Sequence, residues 1–369
     1  MSTERPPAPP ARKRLVQFVK IALTAVLLAL VYRKIDVGAL KGQFAQLRTG
    51  WPWALLFLGL LALNTGISSL KWHALLRADG IPVPVRKLFA SHLIGSFFNL
   101  FLPSSVGGDV YRIADIGRRS GRTANTTASI LFDRLTGFMA IALYGIVFYL
   151  LAAKAGWIHP VLPDCLSGAA AGEARLRGVL YAALPLFAFL ALLGVLLLLL
   201  QERLVRAVLR LVPAKFRPKL ESFALKIVSS SRTYLRVRSA WIPSILISFW
   251  FQADAILAVY AISRALGLGL PLFPFWFFVP FITLLEMIPI SIFGLGLRDF
   301  GYKAFFLSVG LSAHVAGLST EPEATAAAAA LAVLYVALTV LYVSFGGILY
   351  LLRQFQSRPQ STPTSRSLS

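Results

Sequence analysis

A chain of 369 residues could hold two or three soluble domains, but it is 57% hydrophobic and only 14% charged, where soluble domains are about a quarter charged. With a mean hydropathy of +0.73 it reads as a polytopic membrane protein, which excludes a water-soluble enzyme or binding module. The net charge of +22 points to nucleic acid or to a membrane surface, and its placement along the chain decides between them. A single cysteine, Cys165, excludes an intramolecular disulfide framework and a cysteine-based metal centre. The histidines His73, His92, His159 and His314 show no ligand spacing, so neither metal nor cofactor is expected.

Residues 1–14 are Pro-rich, then basic, and are expected to be disordered. Leu15–Tyr32 is an apolar stretch behind a basic segment. Lacking a small-x-small cleavage site, it reads as an uncleaved anchor. Further runs long enough for a ~30 Å hydrocarbon core are Pro52–Leu76, Ala124–Ala152, Val179–Leu200, Trp241–Ala265 and Ala324–Leu352. Two stretches differ. Leu88–Leu102 would make only ~22 Å of helix, too short to cross comfortably. Leu272–Ile288 is broken by Pro274 and Pro280, and precedes a Gly-rich turn and the short run Phe300–Leu311. Broken segments at membrane depth are tolerated where they are buried in protein or line a cavity, and in transporters built from repeats they point to the substrate site. An interfacial or kinked helix is the plainer alternative. Residues 201–240 alternate basic and apolar residues at helical spacing, as a helix lying on anionic headgroups does. Residues 353–369 are expected to form a disordered tail.

The charge follows the polar segments. Residues 1–20, 77–122, 201–240 and 353–369 carry +4, +4, +8 and +3, together +19. An alternating path puts all four on one side if Leu88–Leu102 is re-entrant and Leu272–Ile288 with Phe300–Leu311 forms a down-and-up pair. Positive-inside then places both termini in the cytoplasm, with +3 in residues 33–50 as the one violation. The expected fold is all-α, with roughly eight membrane-embedded helices including short re-entrant or broken ones. The basic surplus thus reports orientation and contact with anionic lipid. Nucleic-acid binding would need a separate polar domain, which this sequence does not offer.

The two irregular regions share a pattern. Asn99, Pro103, Ser104, Ser105, Gly107, Gly108, Asp109 and Arg112 are matched by Glu286, Pro289, Ser291, Gly294, Gly296 and Arg298. In each, a polar residue precedes proline, then serine, a glycine pair and arginine, and a helix rich in small residues follows. Proline ends a half-helix, and glycine lets backbone approach a ligand closely. Freed backbone N–H groups, serine hydroxyls and a bidentate arginine suit an anionic oxygen such as a phosphate. Turn-forming residues with an interfacial arginine are the alternative. Two motifs in matching positions favour an internal repeat around a substrate site.

The segments NLFLPSSVGGDVYR, then Asp133-Arg134-Leu135-Thr136-Gly137, then IPISIFGLGLRD resemble the lysylphosphatidylglycerol synthase transmembrane-domain family. The resemblance spans residues 15–352. It implies an all-helical, flippase-like lipid-handling domain with re-entrant segments, in a family associated with aminoacylated phospholipids, hopanoids and polyprenol-linked sugars. Two departures matter: Asp133-Arg134 stands where the family usually has Glu-Arg, and the soluble aminoacyl-transferase domain is not among these residues.

Asp133 and Arg134 lie roughly 13 Å into a span, where ionisable residues are costly and are functional candidates. Adjacent on one helix, they do not face each other, so each should meet a partner elsewhere. Arg134 is expected to join Arg112 and Arg298 around a lipid phosphate, with Asp133 balancing an arginine. Asp254 and Glu286 are lone acids in apolar surroundings; for Asp254 a coupling role and a structural hydrogen bond stand side by side. Lys20 and Lys71 are read as snorkelling from span ends. The aromatic cluster Phe273–Phe281 reads as an interfacial belt, or else as a wall against acyl chains.

A lipid flippase or transporter of the bacterial inner membrane, with a membrane lipid as its partner, is the leading expectation; arginine-rich, Ala- and Leu-rich composition points to a GC-rich bacterium. No P-loop is present. An enzyme acting on a lipid or polyprenyl phosphate, with Asp109, Asp133 or Glu286 as base, is the second reading, against which no metal-spaced acids or nucleophile–base pair appear. A scaffold docking a lipid-biosynthesis enzyme is the third.

Overall fold

The computed structural model describes residues 37–101, 106–154, 238–287, 297–313 and 321–356, with single residues and short pieces between 221 and 234. The expected anchor Leu15–Tyr32, the span Val179–Leu200 and most of 201–240 fall outside the described residues, as do 1–14 and 357–369.

All regular structure among the described residues is helical. In chain order it comprises α1 (Val37–Ala45), α2 (Leu47–Ala78), α3 (Val85–Phe101) and α4 (Val106–Arg112). A π-helical turn (Ile113–Gly117) continues α4 into α5 (Arg118–Ser120). Then follow α6 (Thr123–Lys154), α7 (Arg238–Ala265), α8 (Phe275–Met287), α9 (Leu297–Ala313) and α10 (Glu321–Gln356). Four of these are long and apolar enough to cross a bilayer: α2, α6, α7 and α10. They coincide with four of the apolar runs in the sequence. α10 continues past the expected end at 352, and Arg353 reaches Asp115 of the π-helical turn at 3.2 Å.

The ends of the spans follow local chemistry. α2 stops where Gly80 takes φ +69° and the Ile81 N–H closes back on the Leu76 carbonyl at 2.9 Å. α7 stops the same way at Gly267, with the Leu268 N–H on the Ser263 carbonyl at 3.0 Å. Both are left-handed glycine caps that satisfy otherwise orphaned carbonyls.

Large apolar side chains cover the outside. Leu341, Phe345, Ile348, Leu352 and Phe355 form an exposed stripe along α10, and Leu56, Leu63 and Leu70 one along α2. Such stripes would drive aggregation in water, and in a bilayer they meet acyl chains. Small residues line the inside: Ala324 and Ala326 to Ala330 are each at most 2% exposed, letting α10 approach its neighbours closely.

The most extensive packing joins α2 to α7, and α3 lies between α4 and α10. Glycine makes the α3–α4 approach possible. A Cβ on Gly95 would lie 2.9 Å from the Gly108 carbonyl oxygen, and one on Gly108 would lie 2.8 Å from Asn99 Nδ2. α4 therefore folds back onto α3, as expected of a short helix that does not cross.

The aromatic cluster is core, not an interfacial belt. Phe275, Phe277 and Phe278 are buried, and Phe305 of α9 sits 4.9 Å from the Phe275 ring. Trp276 stacks on Tyr144 and Phe148 of α6. The run is apolar on every side, so it fills the space between α6, α7 and α9 instead of sitting at a boundary.

Candidate functional site

A cavity of about 200 Å³ opens where α2, α3, α4, α6 and α7 meet. Three cations face two carboxylates there: Lys71, Arg112 and Arg134 against Asp109 and Asp133. Lys71 Nζ lies 2.9 Å from Asp133 Oδ1 and also donates to the Asp133 carbonyl oxygen at 2.8 Å. Arg134 Nη2 and Nε donate to Asp109 Oδ2 at 2.6 and 2.9 Å. Arg112 reaches Asp109 Oδ1 with Nη1 at 3.3 Å and lies over the Trp72 ring at 4.2 Å.

Arg112 is the unusual member. It is 5% exposed, and its Nε and Nη2 have no hydrogen-bond partner among the described residues. Trp72 under it is fully buried and fixed by its indole N–H on Ser129 Oγ at 2.9 Å. Five N–H donors in a planar fork, with the three on Nε and Nη2 unused, form a site for a planar or tetrahedral anion. The net formal charge of the five groups is +1, which matches a monoanion. The glycine approach described above places this fork: Asn99 Oδ1 accepts the Gly108 N–H at 2.6 Å, holding α4 against α3 one turn before Arg112.

A second, smaller cavity of about 80 Å³ lies beside it, lined by Asn64, Asp254, Thr283, Glu286, Tyr302 and Tyr335 among others. The two share walls. On α2, Asn64 lines one and Ser68, a turn later, the other; on α7, Asp254 lines one and Gln252 the other. Arg298 is 1% exposed, lies over the Tyr335 ring at 4.9 Å and places Nε 3.7 Å from Glu286 Oε1. Its Nε and Nη2 have no hydrogen-bond partner among the described residues.

The structure thus divides the expected site. Asn99, Gly108, Asp109, Arg112, Asp133 and Arg134 line the larger cavity, and Gly107 adjoins them on α4. Arg298 does not join Arg112 and Arg134: it belongs with Glu286, beside the smaller cavity that Asp254 lines. Pro103, Ser104, Ser105, Pro289, Ser291, Gly294 and Gly296 lie outside the described residues. Asp133 pairs with a lysine, and the acid that balances Arg112 and Arg134 is Asp109.

Lys71 corrects the snorkelling expectation. It is 4% exposed because its position faces α6, where Asp133 captures it, and it does not reach toward the membrane surface. His92, Ser68 and Gln252 also line the larger cavity and carried no sequence motif. His92 Nδ1 lies 3.3 Å from Ser68 Oγ. Among the described residues no group of three or more His, Cys, Asp or Glu is placed to hold a metal ion.

Four long apolar helices, short helices packed among them and compensated charges around buried cavities define a multi-pass integral membrane protein. The family model described as the lysylphosphatidylglycerol synthase TM region matches residues 17–340, and the chain belongs to that family, which links it to lipid handling. It has no significant match among curated proteins or solved structures.

Proposed function

We propose that the protein is a lipid transporter of the flippase type, not an enzyme, that moves a phosphate-bearing lipid between the leaflets of the bacterial inner membrane, with both termini cytoplasmic. The headgroup enters the larger cavity while the acyl chains stay in the bilayer. The observation that carries this reading is the Arg112 fork: buried, over the Trp72 ring at 4.2 Å, and left with unpartnered Nε and Nη2 beside a cavity with one net positive charge. A phosphodiester monoanion can accept from Nε and Nη2 and cancels that charge. Each hydrogen bond to a charged group contributes about 1.5–3 kcal/mol. Lys71, Asp133, Asp109 and Arg134 hold the walls in place when the lipid has left.

The basic segment 201–240 is read with this function as a surface for anionic headgroups. Reconstituted vesicles containing a fluorescent phospholipid test the reading. Arg112→Met, inserted to the same level as wild type, is expected to slow translocation by about tenfold or more, the equivalent of one lost charge-assisted hydrogen bond. Equal rates for wild type and Arg112→Met would remove the larger cavity as the lipid site.

A further inference from the structure

In the larger cavity every carboxylate has a cation within hydrogen-bond reach, but Asp254 does not. It is 4% exposed, it lines the smaller cavity, and neither carboxylate oxygen has a hydrogen-bond partner among the described residues. An ionised carboxylate in that position is strongly disfavoured at membrane depth. Something the cavity admits must neutralise it.

Among the described residues the cavity lining holds no cation. On α2, the Asn64 amide donates to the Phe251 carbonyl at 3.2 Å and also faces the Asp254 carboxylate, to which it offers a neutral dipole and no charge. On α6, Tyr144 donates its hydroxyl to the Phe249 carbonyl. α8 brings a second acid, Glu286, and α9 brings Tyr302, the buried acid Asp299, and Arg298, whose nearest charged partner is Glu286. α10 adds Tyr335, whose ring carries the Arg298 guanidinium. Among the described residues that line the cavity, Asp254 and Glu286 are the acids and none is a cation. The cavity, at about 80 Å³, has room for two or three waters at about 30 Å³ each and none for a lipid headgroup. A metal cation would sit in reach of Arg298, whereas a proton adds to an Asp254 oxygen and leaves a neutral acid.

We propose that Asp254, with Glu286 across the same cavity, is a proton-binding site that couples lipid movement to the transmembrane proton gradient. A proton from water on one side adds to the Asp254 carboxylate. Its release to the other side restores the anion. The coupling route is the α2–α7 pair: Asn64 and Ser68 stand about 6 Å apart along α2, one on each cavity, and Gln252 and Asp254 stand about 3 Å apart along α7, again one on each. A change of charge at Asp254 is thereby felt in the walls of the lipid cavity. This inference rests on the transporter reading above.

Two measurements on the full-length protein test it. In nanodiscs, pH-difference infrared spectra should show a protonated-carboxyl band that Asp254→Asn removes; an unchanged band overturns the assignment without reference to transport. In proteoliposomes carrying a fluorescent phospholipid, a gradient of one pH unit should shift the steady-state leaflet ratio by about tenfold for one proton per lipid. Asp254→Asn should abolish that shift. If wild type moves lipid with no response to pH, or responds equally to a sodium gradient, proton coupling is wrong and the transporter reading stands. If wild type moves no lipid, the transporter reading fails, and the infrared band alone decides the proton site.

Discussion

In the larger cavity Asp133 is matched by Lys71 at 2.9 Å and Asp109 by Arg134 at 2.6 Å, whereas in the smaller cavity Asp254 has neither cation nor hydrogen bond among the described residues. The same two helices, α2 and α7, wall both. Burial is similar, at 14% side-chain exposure for Asp133 and 4% overall for Asp254, so depth does not distinguish them. Pairing does. Paired charges hold a cavity open at fixed geometry and leave only the spare donors of Arg112 for a ligand. An unpaired acid gains most by changing its own charge state. On the proposal above, one region keeps its charges and the other exchanges one.

The largest expected effect follows from removing a single partner. Lys71→Met takes the ion-pair partner from Asp133 and leaves Arg112 as the nearby cation, at a cost below the about 3–5 kcal/mol of a fully orphaned buried charge, so thermal unfolding in detergent should shift clearly downward. Asp254→Asn removes a charge that has no partner to lose, and its unfolding temperature should stay at or above that of wild type. The comparison breaks if the two variants melt alike.

A smaller effect probes the packing that positions Arg112. Gly108→Ala puts a methyl against the Gly95 carbonyl and Asn99, both of which belong to a helix wedged between two others. Overpacking of this kind costs about 1–3 kcal/mol. Gly137 lines the same cavity but has open space around a Cβ, so Gly137→Ala serves as control and should be neutral or stabilising by about 0.5–1 kcal/mol from helix propensity. A melting curve for Gly108→Ala that overlays wild type would show that α3 and α4 can separate without cost, and the fork would not be fixed.

How much of this was legible beforehand depended on the kind of signal. The spans α2, α6, α7 and α10 follow from apolar length and the short α3 from its shortness, whereas α8 begins just after Pro274 but runs through Pro280 without the expected break. Asp133 and Arg134 stood out as charges inside a span, and Asp109 and Arg112 through the Pro-Ser-Gly motif; the structure brings all four to one cavity. Lys71 was not readable: a lysine near the end of a span is equally compatible with snorkelling, and only the rotation of α2 toward α6 shows that it meets Asp133. The split between Arg112 and Arg298 was hidden for a related reason. Matching motifs report matching local structure, but which cavity each arginine joins is set by how α4 and α9 pack onto the long helices. The cluster Phe273–Phe281 was misread because hydropathy cannot separate a residue facing lipid from one facing protein.

A third carboxyl gives the smallest effect and a reference for the other two. Asp79, beyond the end of α2, is partly buried and accepts a hydrogen bond from the Tyr234 hydroxyl. Burial raises its carboxyl above the ordinary value, while Tyr234, Asn125 and Arg122 draw it back down. A raised folded value means that its protonated form favours folding: stability is highest below the ordinary carboxylate range and declines as pH rises through the folded value. Tyr234→Phe removes the first of the opposing influences, so the decline should deepen. The expected loss is about 1 kcal/mol near neutral pH, from one hydrogen bond to a partly solvated charge, and clearly less near pH ~2.5, where the carboxyl is largely protonated in both states. Unfolding curves at the two pH values measure it. Equal losses at both would place the role of Tyr234 in its packing on Phe132, 5.1 Å away, and Asp79 would then behave as a solvated acid, outside the contrast between paired and unpaired carboxylates.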